Sequence, residues 1–198
     1  SQEDLEKYYE RCYEAYERIF KRAGAKNVVA VKSDSGMMGG SISHEFMLLA
    51  DIGEDTLAIC PECGYKANME AAELKTINEP GEKEELKKIH TPDTKTIDDL
   101  YKFTNIPETR MCKAVVYQKN LTDEYVIVFI RGDLDVNETK LRNYLGEEVH
   151  AALITEESGI VAGFIGAVNL KAKAQVIYDA SLKGIESLVC GANEVDYH

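Results

Sequence analysis

No apolar run in this 198-residue sequence approaches the roughly 20 residues that a bilayer-spanning helix needs, which excludes a transmembrane helical anchor. No basic, apolar leader of the secretory kind opens it. Its five cysteines, at positions 12, 60, 63, 112 and 190, are odd in number and irregular in spacing; they exclude a disulfide framework and make the reducing cytoplasm the expected compartment. Internal repeats and low-complexity tracts are missing as well. Basic residues are in short supply, 23 Lys and Arg against 35 Asp and Glu, for a net charge of −12. Only nine basic and thirteen acidic residues lie from residue 110 onward, so most of the excess negative charge falls earlier. This balance excludes tight, non-specific attachment to nucleic acid, which rests on Lys and Arg neutralising phosphates.

What is present is enough apolar material, 44% of residues, for one good core or two modest ones. Ser1 with Asp4 forms a capping box, and Leu5, Tyr8, Tyr9, Cys12, Tyr16, Ile19 and Phe20 then recur at helical spacing until Gly24. Val28 to Val31, Glu45 to Leu49 and Thr56 to Cys60 are short, apolar-rich segments separated by turn formers, and read as antiparallel strands. Residues 1–75 are therefore predicted to be a helix on a small antiparallel sheet. Residues 76–95 contain Pro80, Gly81, Pro92 and a charged run, and read as a linker. In residues 96–198, Thr96 and Asp99 cap a helix through Leu100 and Phe103, and Asn137 caps another. Strands are predicted at Lys113 to Tyr117, Tyr125 to Ile130, Val176 to Tyr178 and Leu188 to Cys190, giving an α+β fold with a mixed, mainly antiparallel sheet and surrounding helices.

Three glycines, Gly36, Gly39 and Gly40, precede Ser41, Ser43, His44 and Glu45. On the residues alone this stretch is either a polar ligand pocket, with backbone brought close by the glycines, or a hairpin loop with ordinary surface side chains. Cys60-Pro61-Glu62-Cys63 supplies half of a tetrahedral thiolate site; completing it requires remote residues, so no metal is expected. His90 and His150 read as surface residues.

The run from Gly39 through Phe46, followed by Ala50, Gly53-Glu54-Asp55 and Tyr65-Lys66-Ala67-Asn68-Met69-Glu70, resembles the catalytic core of bacterial-type prolyl-tRNA synthetases just before their inserted editing domain. The helix with Tyr13, Tyr16, Ile19 and Phe20 leading to Arg22-Ala23-Gly24 is similar to the same family. The remainder resembles the insertion itself, which is related to free-standing, YbaK-like aminoacyl-tRNA deacylases. Four features carry this: Lys113 opening the strand Lys113-Ala114-Val115-Val116; Arg131-Gly132-Asp133 with Asn137 and Lys140; the loop Gly163-Phe164-Ile165-Gly166; and Asp179, Gly191-Ala192-Asn193 and His198.

The resemblance implies an excised piece of a class II synthetase core joined to an editing domain. It assigns Lys113, Asp179 and His198 to catalysis and Arg131, Gly163, Gly166 and Ala167 to the substrate pocket. Gly39, Gly40, Ser41, Ser43, His44 and Glu45 would line the proline and adenylate pocket, served by ATP and Mg²⁺ in the full enzyme, whereas editing needs no cofactor. The implied activity is hydrolysis of alanyl-tRNA carrying the proline anticodon. A pocket built for proline excludes the smaller alanine by only about 1–3 kcal/mol, so a second site must remove the error. Implied partners are the acceptor end of that tRNA and the rest of the synthetase; proline activation by this piece alone is not expected. Exposed sheet edges in the core piece make a homodimer a further expectation.

Read without the resemblance, Lys113 is equally an exposed strand-end lysine, Asp179 a capping aspartate and His198 a frayed end. Ala167 departs from the family, whose loop ends in proline, and this puts alanine selectivity in question. The rivals are a deacylase for another small amino acid, such as cysteine or serine, and a module that binds aminoacyl-tRNA without hydrolysis. The charge balance yields a first prediction: tRNA binding by this chain will be weak and will weaken further as salt rises, and a tight, salt-insensitive gel shift would contradict it.

Overall fold

The computed structural model describes residues 1–36 and 39–198; Met37 and Met38 of the glycine loop lie outside the described residues. The chain divides into two compact units, Ser1–Glu73 and Leu74–His198. Among the described residues no helix is long and apolar enough to cross a membrane.

The first unit opens with α1 (Gln2–Arg22), started by the predicted capping box between Ser1 and Asp4. Its sheet contains β1 (Val28–Lys32), β2 (His44–Leu48), β3 (Leu57–Ile59) and β4 (Lys66–Asn68) in the order β2-β1-β4-β3. The first three match the expected strands to within a residue or two. β4 was not foreseen: Lys66-Ala67-Asn68 is too short and polar to announce a strand, yet it lies parallel to β1 and antiparallel to β3. The small sheet is therefore mixed rather than purely antiparallel. The α1 face meets β2 through rings, with Tyr13, Tyr16 and Phe20 each 5.2–5.6 Å from the Phe46 ring centre. No α1 residue is buried, and Leu5, Tyr8 and Ile19 remain exposed.

The second unit is organised on β5 (Cys112–Lys119), β6 (Tyr125–Arg131), β7 (Val149–Ala151) and β8 (Ala174–Tyr178), in the order β7-β5-β6-β8. β6 pairs antiparallel with β5 and parallel with β8. Residues Val126 to Ile130 are all buried, because both faces of β6 are covered. Ile127 and Phe129 pack with Cys112, Ile160 and Ile165 on one side; Val126 and Val128 pack with Tyr117 and Leu141 on the other. A strand buried on both faces reads as a continuous apolar run, as Val126-Ile127-Val128-Phe129-Ile130 does. Helix α2 (Ile97–Thr104) carries the predicted Thr96–Asp99 capping box, and α3 (Glu138–Leu145) is capped by Asn137. The architecture is α+β with mixed sheets.

Two expectations need correction. Residues 76–95 are built into the second unit rather than linking two bodies. The Asn78 side chain donates to the carbonyls of Ser181 (2.7 Å) and Lys183 (2.8 Å), and Ile89 exchanges backbone hydrogen bonds with His198. Thr91 and Thr94 are buried. The polar composition suggested a linker because this segment packs through hydrogen bonds rather than apolar side chains. Leu188 to Cys190 is not a full strand: Val189 makes a single bridge with Met111.

Two stretches of backbone in this unit meet at Gly166 and Gly191 with no room for a side chain. A Cβ on Gly166 would stand 1.6 Å from the Gly191 carbonyl oxygen, and one on Gly191 would stand 2.2 Å from the Phe164 carbonyl carbon. Backbone cannot yield to a methyl group as a side-chain tip can. Gly191→Ala is therefore expected to destabilise the unit by about 2–3 kcal/mol, the upper range for overpacking; a denaturation midpoint equal to that of the unsubstituted protein would refute the constraint.

Candidate active site of the second unit

The first turn of α2, the start of β5 and the Gly163–Ile165 loop enclose a cavity of about 210 Å³. Lys113, Gly163 and His198 line it together with Lys95, Thr96, Ile97, Leu100, Cys112, Ala114, Ile165 and Gly191. Three sequence-selected residues, far apart in the chain, thus share one small space with mainly apolar walls.

Lys113 is one-quarter exposed, and its Nζ donates to Asp135 Oδ1 at 2.8 Å. Asp135 is almost fully exposed, so solvent can compete for this pair and a bound anion can take the ammonium at modest cost. His198 is held firmly rather than frayed. Its N–H donates to the Ile89 carbonyl (3.0 Å), its carbonyl accepts from Ile89 N–H (2.7 Å), and its Nδ1 lies 2.7 Å from the hydroxyl of fully buried Thr91. The ring packs at a tilt on Phe164, centre to centre 5.5 Å. Burial lowers its pKa below the ordinary 6.5, favouring the neutral imidazole.

Gly166 and Ala167 do not line the cavity. Gly166 supports it from behind: Asn193 Oδ1 accepts from Gly166 N–H (3.0 Å), while its Nδ2 donates to the carbonyls of Gly166 and Val168, each at 2.9 Å. Ala167 is exposed. The loop exit that proline would have stiffened is instead gripped by one side-chain amide, and the departure from proline falls outside the cavity wall.

Arg131 and Asp179 are structural in this arrangement. The Arg131 guanidinium makes a two-pronged pair with Asp133 (2.5 and 2.8 Å) and donates to Asn78 Oδ1 (2.6 Å). Hydrogen bonding from Arg131 holds the Asp133 carboxyl below the usual carboxylate range. Asp179 caps the short 3-10 turn Ala180–Leu182, accepting from Ser181 N–H at 2.8 Å. Neither borders the cavity. Cys112 does, but burial first and neighbouring Cys190 second push its thiol up to about 12, which disfavours the nucleophilic thiolate.

Thr91, Ile97 and Leu100 were not singled out for the site from the sequence. The only signal for the latter two was their three-residue spacing behind a capping box; Thr91, in a proline-flanked polar stretch, gave none. Beside the cavity, and sharing Gly191 and His198 with it, runs a larger groove of about 670 Å³. Glu82, Glu84, Glu85 and Glu186 alternate there with Lys87, Lys88 and Arg110, so the groove is not a basic channel.

In the first unit, His44 Nδ1 lies 2.8 Å from the Tyr9 hydroxyl, Glu45 accepts from Asn68 Nδ2 (3.2 Å), and the Ser33 and Ser43 hydroxyls are hydrogen-bonded at 2.9 Å. Gly39, Gly40 and Ser41 are exposed. These groups offer donors and acceptors to a polar ligand. Among the described residues, however, no three His, Cys, Asp or Glu side chains converge to hold a metal ion, so this donor set does not fit Mg²⁺ by itself.

The depressed pKa of His198 has a consequence for stability. The unfolded chain takes up this proton near pH 6.5 and the folded chain only at lower pH, so stability is complete above that value and falls as pH drops through the interval between them. Unfolding measured against pH should show this acid-side slope, and His198→Gln should flatten its histidine component; identical slopes in both proteins would refute the assignment.

The description of the aminoacyl-tRNA editing domain matches residues 91–198. Curated relatives include a proline--tRNA ligase of Brachyspira hyodysenteriae, 41% identical over 100% of this chain and 35% of its own length. Another, from Syntrophus aciditrophicus, is 41% identical with the same two coverages. The chain thus spans about a third of the length of these relatives. Among solved structures, hypothetical protein APE2540 superposes with a TM-score of 0.50 at 18% identity, covering 56% of this chain and 76% of that one, a likeness of fold. With more than half its length matching that description, and the matched region carrying the Lys113–His198 cavity, the chain belongs to the aminoacyl-tRNA editing domain family, in the form related to prolyl-tRNA synthetase.

Proposed function

We propose that the second unit hydrolyses the ester of a small amino acid mischarged onto tRNA, alanyl-tRNA carrying the proline anticodon being the substrate. The supporting observation is the cavity that gathers Lys113, Gly163 and His198. Its volume of about 210 Å³ lies below the range of about 300–1,000 Å³ typical of pockets for whole small molecules. It therefore suits an aminoacyl group and its ester rather than a complete nucleotide, and the adjoining groove is where the terminal adenosine extends.

An aminoacyl ester is an activated bond, so the site must position water and stabilise charge rather than supply a strong nucleophile. Water adds to the ester carbonyl carbon, negative charge grows on the carbonyl oxygen, and the bond from the acyl carbon to the ribose oxygen breaks as the ribose oxygen takes the proton that the water gives up. Lys113, released from Asp135, serves the developing charge. Neutral His198 is available to accept or donate a hydrogen bond, and the substrate's own ribose hydroxyl can orient the water. Ile97, Leu100 and Ile165 give the amino-acid side chain an apolar berth.

Ala167 lies off the wall and so gives no ground for a changed amino-acid preference, which leaves cysteine or serine release as the outcome of a failed alanine test. In the full-length enzyme the first unit would contribute to the proline and adenylate pocket through Gly39 to Glu45. Catalysis with ATP would draw its Mg²⁺ ligands from elsewhere in that enzyme. Its edge strands β2 and β3 are where a second copy would pair, and the cytoplasm is the proposed compartment.

Single-turnover deacylation of alanyl-, cysteinyl- and prolyl-tRNA tests this directly. Alanine should be released and proline spared, with Lys113→Ala lowering the rate about 10²-fold, as loss of one charge-stabilising donor does. Full activity in the variant would remove Lys113 from the mechanism.

A further inference from the structure

The β3–β4 hairpin of the first unit carries a constellation that the editing reading does not use. Its tip is Cys60-Pro61-Glu62-Cys63-Gly64-Tyr65. Cys60 N–H donates to the Tyr65 carbonyl (2.9 Å), and Gly64 N–H donates to the Cys60 carbonyl (3.1 Å), closing the turn. Gly64 has φ +74°, a conformation that glycine adopts without strain. Hydrogen bonding from the Cys63 backbone and side chain and from the Glu62 backbone holds the Cys60 thiol below its ordinary pKa. The closed turn therefore places both cysteines, three positions apart, at one hairpin tip. Both cysteines are free, and Cys63 is exposed.

Backbone donors directed at a sulfur stabilise its anionic form, and paired thiolates on a tight turn make a chelate for soft metal ions. We propose that Cys60 and Cys63 form a dithiolate site for a thiophilic d¹⁰ cation of the zinc and cadmium type, held by both sulfurs at the hairpin tip. Binding releases the two thiol protons to solvent and forms two metal–sulfur bonds. No third His, Cys, Asp or Glu joins the pair among the described residues, so the remaining positions on the metal are open to water or to a ligand from another polypeptide. Proline at the second position and glycine after the second cysteine keep the chelate rigid from the backbone side, and metal would tie β3 to β4 beyond their three-residue pairing.

Titration of the reduced chain with Cd²⁺ alone tests the site through thiolate-to-metal charge-transfer absorption. One equivalent per chain is expected to produce the band. Cys60→Ser and Cys63→Ser should each abolish it, Cys12→Ser should leave it intact, and circular dichroism should confirm that each variant is folded. Cys63 is exposed, so its replacement tests the site without disturbing packing. Absence of the band in the unsubstituted chain, or its persistence in both the Cys60 and Cys63 variants, would overturn the proposal.

Discussion

The second unit depends on a place where two backbones meet with no room for a side chain. Gly166 and Gly191 allow the loop after Gly163 and the segment after Leu188 to lie against each other. Asn193 then fastens the join by satisfying both the N–H and the carbonyl of Gly166. Everything the cavity needs follows from that contact. Ile165 is presented to the cavity, Phe164 packs on the His198 ring, and Gly191 forms part of the wall. Packing of Ile165 in the cluster with Cys112, Ile127 and Phe129 holds the same loop against β5 and β6.

The site separates residues that face a ligand from residues that hold the frame. Lys113 sits one residue inside β5, where the buried strand fixes its Cα while the ammonium reaches an exposed aspartate. Arg131, opposite Cys112 at the adjacent end of the neighbouring strand, carries the same charge but has a different task. Its guanidinium ties Asp133 and Asn78 together and brings the segment before α2 onto the sheet. A strand-end cation is therefore a candidate for chemistry only when its partner is weak enough to be displaced.

Much of this was legible in the sequence. Both capping boxes, the Asn137 cap and the buried run of β6 are local signals, written in adjacent residues, and they appear in the structure within a residue or two. The association of Lys113, Gly163 and His198 could be suggested only by resemblance, since no local pattern links positions so far apart. What escaped was of two kinds. β4 is held by its neighbours rather than by its own composition. The stretch 76–95 packs through amide and hydroxyl hydrogen bonds, which leave no hydrophobic period to read. Asp179 and Arg131 show the converse: a motif match places a residue at a position, and only geometry shows whether its side chain reaches the cavity.

His198 meets Thr91 across a separation of 107 residues, and that hydrogen bond spans nearly all of the unit that contains it. A wall assembled from the two extremes of a folding unit is completed only after the sheet between them exists, because the loop it closes is long and the entropy of closure must be met by contacts already formed. A nascent or partly unfolded chain presents Lys113 to solvent without the imidazole and glycine walls opposite it, so the cavity and complete folding arrive together.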